Sequence, residues 1–243
     1  MEFTLPTEII ELPSKGLLYP EGHPLASGEV EMKYMTAKEE DILTNQNYIK
    51  NGTVIDKLLK SLLVTEFDYN DLLVGDKNAI MIAARILSYG KDYQVEYNRE
   101  QVEVDLSSLD AKPHEVEYQG DSREFPVKLP KSGYEVIFKV FTHGDELAIE
   151  QEIKGLQKIN KNDVPEVTTR LKHMIVAING NRERADIRKF VDGYLLAQDA
   201  RALREEYVRV SPDVDLKFTY TYDDGSDEEV TLPIGINFFW PDV

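Results

Sequence analysis

Three rhythms of apolar and polar residues follow one another along this chain, and each predicts a kind of element. Residues 1–35 carry short apolar groups broken by Leu12-Pro13-Ser14-Lys15-Gly16 and Tyr19-Pro20-Glu21-Gly22-His23-Pro24. Pro and Gly at that density predict loops and short extended pieces. Residues 29–34 alternate polar and apolar, which predicts a strand. A helical rhythm begins at Thr36-Ala37-Lys38-Glu39, a capping box in which the Thr hydroxyl takes the amide of Glu39 and the Glu side chain reaches back. That helix is expected to run to about residue 44. Val54, Ile55, Leu58, Leu59, Leu62 and Leu63 share one stripe and predict a helix over 53–64. Ala79, Ile82, Ala83, Ile86 and Leu87 predict another over 76–88, with Asp76 as its N-cap and Gly90 at its end.

Between residues 93 and 141 the period falls to two. Tyr93, Val95 and Tyr97, then Val102 and Val104, read as a hairpin closing around Asn98–Gln101. Val116 and Tyr118, then Phe125, Val127 and Leu129, then Val136, Phe138 and Val140 extend the pattern. Helical spacing returns over 144–158 (Leu147, Ala148, Ile149, Ile153, Leu156) and over 164–178. There Pro165 sits in the first turn, where its missing amide costs nothing, and the stripe is Val167, Leu171, Met174, Ile175 and Ile178. Shorter helices fit 184–193 and 199–209. Leu216, Phe218, Tyr220 and Tyr222 alternate on the first arm of a last hairpin, Asp223-Asp224-Gly225 turns, and Val230 and Leu232 lie on the second arm.

The expected fold class is therefore α+β. An extended segment (1–35) leads into a helical part (36–92). A small antiparallel β unit (93–141) is inserted before a second helical part (142–210), and a C-terminal hairpin with an aromatic tail (211–243) ends the chain.

Charge narrows the function. Among 243 residues there are 45 acidic and 28 basic side chains, a net charge of −17. Such a surface repels phosphate backbones and anionic membranes, so neither nucleic acid nor membrane is an expected partner. With no cysteine in the chain, disulfides and Cys-ligated zinc are excluded. Residues 1–6 show no basic region followed by an apolar run, and no stretch approaches the roughly 20 apolar residues that span a bilayer. Cytoplasm is the expected site of synthesis.

Candidate chemistry is sparse. Leu73-Val74-Gly75-Asp76-Lys77-Asn78 has one glycine and the wrong spacing for a phosphate loop. The histidines His23, His114, His143 and His173 show no ligand-pair spacing, and no metal, cofactor or catalytic residue is expected. His143-Gly144-Asp145-Glu146 admits two readings. One is a metal-dependent hydrolase using His143 and nearby acids such as Asp145. The other is a helix start capped by Thr142, with two acids complementing the helix dipole. The run from Asp223 to Glu229 lacks calcium-loop spacing and reads as a solvated hairpin tip. Phe238, Phe239 and Trp240, with Tyr34 and Met35, are candidate partner contacts, since large aromatics are enriched in interface hot spots. The competing reading folds these side chains onto the core.

Three stretches carry a family resemblance. The first is Leu12-Pro13-Ser14-Lys15-Gly16, Tyr19-Pro20 and the run from Met32 to Thr44. The second runs from Asp71 to Ile80 and on to Tyr89-Gly90-Lys91-Asp92-Tyr93. The third is Leu232-Pro233-Ile234-Gly235-Ile236-Asn237-Phe238-Phe239-Trp240-Pro241. Together they resemble the baseplate-hub and hub-assembly proteins of contractile-tailed (myovirus-type) bacteriophages. That resemblance implies a non-enzymatic hub component, or a chaperone for hub and tape-measure assembly, working by protein–protein binding in the host cytoplasm or in the virion tail baseplate. Its partners would be other hub or tape-measure proteins. Many such relatives carry Cys-x-x-Cys pairs at both hairpin tips. Here the tips are Asn98-Arg99-Glu100-Gln101 and Asp223-Asp224-Gly225-Ser226-Asp227, which leaves turn chemistry and cross-strand pairs to hold the hairpins. An acidic regulatory binding protein that mimics nucleic acid is the remaining alternative.

Overall fold

The structure is a computed structural model that describes residues 5–112, 122–159 and 164–239. Among them the chain alternates short helices with four small antiparallel sheets, the α+β class expected. Val116, Tyr118 and His114 lie outside the described residues.

Strands β1 (Thr7–Glu11) and β2 (Glu29–Lys33) pair antiparallel, with Ile9 opposite Glu31. The loop between them packs inward: Leu12, Leu18, Tyr19 and Leu25 are all buried. Helix α1 (Ala37–Leu43) opens with the expected capping box, the Thr36 amide donating to Glu39 Oε2 at 2.9 Å. Helix α2 (Gln46–Lys50) is too short to show a stripe. It is started by Asn45, whose side chain accepts from the amides of Asn47 and Tyr48. Helix α3 (Val54–Leu62) buries Val54, Leu58, Leu59 and Leu62.

Helix α4 (Val74–Tyr89) begins two residues before the expected N-cap. Leu73 holds the cap position, and Asp76 is the third helical residue. Its carboxylate turns away from its own helix to the β1–β2 loop. A carboxylate suits both positions on the helix dipole, so sequence alone misplaces the start by one turn.

Strands β3 (Asp92–Tyr97) and β4 (Glu100–Asp105) form a hairpin turned by Asn98 and Arg99. Both turn residues have positive φ, 52° and 67°, as a two-residue hairpin turn requires. Strands β5 (Glu124–Lys128) and β6 (Glu135–Lys139) belong to a separate sheet, completed by β7 (Ile175–Ile178) in the order β5-β6-β7. The 93–141 region thus feeds two sheets.

Strand β7 corrects the expected helix over 164–178. Helix α6 (Glu166–Met174) stops at Met174, and Ile175-Val176-Ala177-Ile178 runs on as strand, Ile137 opposite Ala177. Short apolar runs fit either period. Here the β-branched residues and the open edge of β6 decide it. Helix α5 (His143–Ile159) precedes α6, and α7 (Arg184–Gly193) and α8 (Ala197–Val210) follow. The last hairpin pairs β8 (Lys217–Thr221) with β9 (Asp227–Thr231), setting Phe218 opposite Val230 and Tyr220 opposite Glu228.

The two hairpins lock together. The Tyr97 ring sits 5.0 Å from that of Tyr220 and 6.3 Å from that of Phe218. Tyr97 donates to Glu228 at 3.0 Å and Tyr220 to Glu100 at 2.7 Å.

Gly75 fixes another long-range contact. A Cβ there would lie 1.8 Å from the Pro212 carbonyl oxygen, so the chain after α8 rests directly on the first turn of α4. Gly155, inside α5, has open space around it. Gly75→Ala is expected to lower unfolding free energy by about 3 kcal/mol through overpacking, and Gly155→Ala to raise it by about 1 kcal/mol through helix propensity. Urea unfolding of both variants checks the pair.

Candidate docking surfaces and buried polar centres

Carboxylates at the third residue of four helices do most of the polar work inside this protein. Glu39 in α1, Asp76 in α4 and Asp199 in α8 are fully buried, and Asp145 in α5 is largely so. At that position the free amides of the first turn favour a negative charge. Each acid also accepts hydrogen bonds from a second segment or a cap. Asp76 accepts from the Ser14 amide at 2.9 Å, the Ser14 hydroxyl at 2.7 Å and the Tyr19 hydroxyl at 2.7 Å. The Tyr19 oxygen in turn accepts from the Leu73 amide at 3.0 Å. Burial pushes the Asp76 carboxyl above the usual range, against the pull of these donors.

Asp199 accepts from the Lys131 amide at 2.8 Å and the Ser132 amide at 3.1 Å, tying the β5–β6 turn to α8. Burial pushes its carboxyl up, but the donated hydrogen bonds outweigh burial and hold it below the usual range. Asp145 closes a capping box with Thr142 and meets Arg123 at 2.5 Å and the ammonium of Lys139. Its carboxyl is raised by burial and lowered further by Lys139 and Arg123, ending below its ordinary value.

His143 does not face Asp145. The helix-start reading of this segment agrees with the capping geometry, whereas the catalytic pairing has no geometric support. The buried His143 ring lines a cleft of about 490 Å³ with Asp56, Lys77, Glu146 and Glu150 among its walls. Lys77 Nζ lies 2.6 Å from Asp56 Oδ1 and 3.4 Å from His143 Nδ1, while His143 Nε2 is 3.6 Å from Asp56 Oδ2. Tyr69 packs edge-on against the imidazole at 4.7 Å. Burial, then the neighbouring Lys77, pushes His143 below its ordinary value, so the ring is neutral near pH 7. Lys77, Asp56 and His143 together key α3, α4 and α5 to one another. Among the described residues no group of three metal-ligating side chains converges. No helix among them is long and apolar enough to cross a membrane.

The candidate partner contacts fall in two places. Tyr34 and Met35 join β2 to α1 and are half-buried. The Tyr34 hydroxyl donates to Glu8 at 3.0 Å, and the Met35 sulfur lies 3.7 Å from the Tyr89 hydroxyl. Phe238 and Phe239 are both 0% exposed. Phe238 packs against Tyr93 at 5.0 Å and against Phe239 at 5.4 Å. In this arrangement they clamp the chain's end to the β3–β4 hairpin and offer no side-chain surface outward. Trp240 lies outside the described residues.

Taken together, the polar groups of the interior hold one segment to another. The sequence matches the family model described as T4 bacteriophage base plate protein over residues 7–240, and the chain belongs to that family. No curated protein and no solved structure matches it. Membership makes this a structural protein of the phage baseplate, in a family generally without enzymatic activity, and implies binding to other baseplate proteins.

Asp145 gives a pH test. Because its folded pKa is depressed, its contribution is complete above the unfolded value of about 3.9 and is lost as pH falls through the folded value. Asp145→Asn should cost about 3 kcal/mol near neutrality, the low end for a buried pair losing one partner because Arg123 is partly exposed. The gap between variant and parent should close toward the acid end. Urea midpoints of both proteins across that range measure it.

Proposed function

We propose that this chain works at the hub of a contractile-tail baseplate, as a hub component or as a factor in assembling the hub and tape measure. Its mechanism is stoichiometric binding. The family match across residues 7–240 supports the baseplate part of this reading, and the resemblance in the runs from Met32 to Thr44 and from Leu232 to Pro241 supports the hub part. Its support from the structure is that the candidate catalytic pair, His143 and Asp145, faces two different sets of partners, each consistent with a structural bond. Tyr34 and Met35, at the β2–α1 joint, are proposed contacts. Phe238 and Phe239, with Trp240, are proposed to dock the C-terminal tail so that it presents a fixed surface. The acidic balance fits binding sites on basic neighbours better than on nucleic acid.

Mass spectrometry of purified infectious particles, beside a lysate of the infected host, tests the proposal. A fixed ratio to baseplate proteins in the particles is expected of a hub component. Abundance in the lysate with absence from particles identifies the assembly factor. A normal yield of complete tails without the gene contradicts both.

A further inference from the structure

A cleft of about 360 Å³ lies where α5, the end of α6 and the start of α7 meet, lined by Glu152, Lys172, His173, Arg184, Ala185 and Arg188. Its one lining acid is shared. Glu152 holds His173 at 2.8 Å through one oxygen and Arg188 at the longer distance of 3.6 Å through the other. Lys172 pairs with Asp192 at 2.6 Å, just outside the lining. Arg184 donates one hydrogen bond of 3.2 Å to the Lys172 carbonyl and makes no ion pair among the described residues. Lys189 stands one turn along α7 from Ala185, exposed and likewise without an ion pair among them.

The charge balance at this cleft is positive. Leaving the histidine aside, the cations Lys172, Arg184, Arg188 and Lys189 face only the acids Glu152 and Asp192. Glu183 and Asp186, the other acids around the first turn of α7, line no part of the cleft, and Asp186 accepts from the Asn181 side chain at 2.7 Å. The excess rests on Arg184, Arg188 and Lys189, all three exposed, on a chain of net charge −17. A basic occupant would set like charges against each other there, whereas carboxylates complement them. The two guanidinium forks match the planar carboxylate in particular. The acidic body around the cleft repels a phosphate backbone, and like net charge on two whole bodies opposes a second copy of this chain.

We infer that the cleft between α5, α6 and α7 receives an acidic segment of another baseplate protein, whose Asp or Glu carboxylates meet Arg184, Arg188 and Lys189. This rests on the baseplate reading above and deepens it by naming one surface and the chemistry of the partner that covers it.

The test complements a phage lacking the gene with variants of the full chain. Arg184→Glu with Arg188→Glu changes exposed side chains and should keep the parent's urea midpoint within the error of the fit. It should lower the yield of infectious particles about tenfold or more, as like charges set together in an interface do. Arg184→Lys with Arg188→Lys keeps the charge and should keep most of the yield. Arg201→Glu, a reversal on the exposed face of α8, should leave the yield unchanged. In parallel, a carbodiimide, which joins an amine to a carboxylate it touches, is applied to purified particles and to a lysate of the infected host. Lys189 joined to an Asp or Glu of another baseplate protein, with the bond lost in Lys189→Arg, supports the inference. Lys189 joined only within its own chain or to a second copy, or an equal fall in yield for Arg201→Glu, overturns it. If deletion of the gene leaves tails intact, the baseplate reading fails and this inference with it. If deletion blocks tails but the double reversal restores full yield, the cleft inference alone fails.

Discussion

The buried carboxylate of Asp76 is the constraint on which the rest of this structure depends. It sits in the first turn of α4, and three donors from the β1–β2 loop converge on it. Hydrogen bonds to a charged group contribute about 1.5–3 kcal/mol each. Left without them, a buried carboxylate would be strongly unfavourable. The loop is therefore held to the helix, and its apolar residues Leu12, Leu18 and Leu25 become part of the core. The same turn of α4 receives the chain after α8 across Gly75. One helix start thus gathers the N-terminal segment and the C-terminal half. Glu39, Asp145 and Asp199 repeat the device at three other helix starts, which lets a body of short elements hold a fixed shape without disulfides.

Fixed shape is what the functional reading requires. A baseplate protein works by presenting surfaces at set angles, and binding loses less free energy when the surfaces are already ordered. The buried acids and the Asp56–Lys77–His143 centre join elements that are distant in sequence. The hairpin lock of Tyr97 with Tyr220 does the same for two small sheets, neither of which is stable as an isolated two-stranded ribbon. In that lock, aromatic packing and tyrosine–carboxylate hydrogen bonds hold the two hairpins together.

Much of this architecture could be read from residue pattern, and the failures have physical causes. The helix over 184–193 was legible because Ile187, Phe190 and Val191 form one stripe and Gly193 ends it. The capping box at Thr36 was legible because its partners are three residues apart. Strand β7 was not, since Ile175–Ile178 satisfies a helical and an extended period equally, and only the neighbouring β6 edge distinguishes them. Asp76 was placed near the helix start but given the wrong partner, because Ser14 and Tyr19 lie about sixty residues away, as sequence separations of 62 and 57 show.

The central claim, that Asp76 binds the N-terminal loop into the core, is tested most directly by native-state hydrogen exchange at the Ser14 amide. Ser14 lies in a stretch of Pro and Gly that would be open if it were an ordinary surface loop. The account predicts that its amide exchanges as slowly as those in the middle of α4, such as Met81, and opens only with the whole fold. Exchange of Ser14 at the rate of an unprotected loop, with α4 still protected, would contradict it.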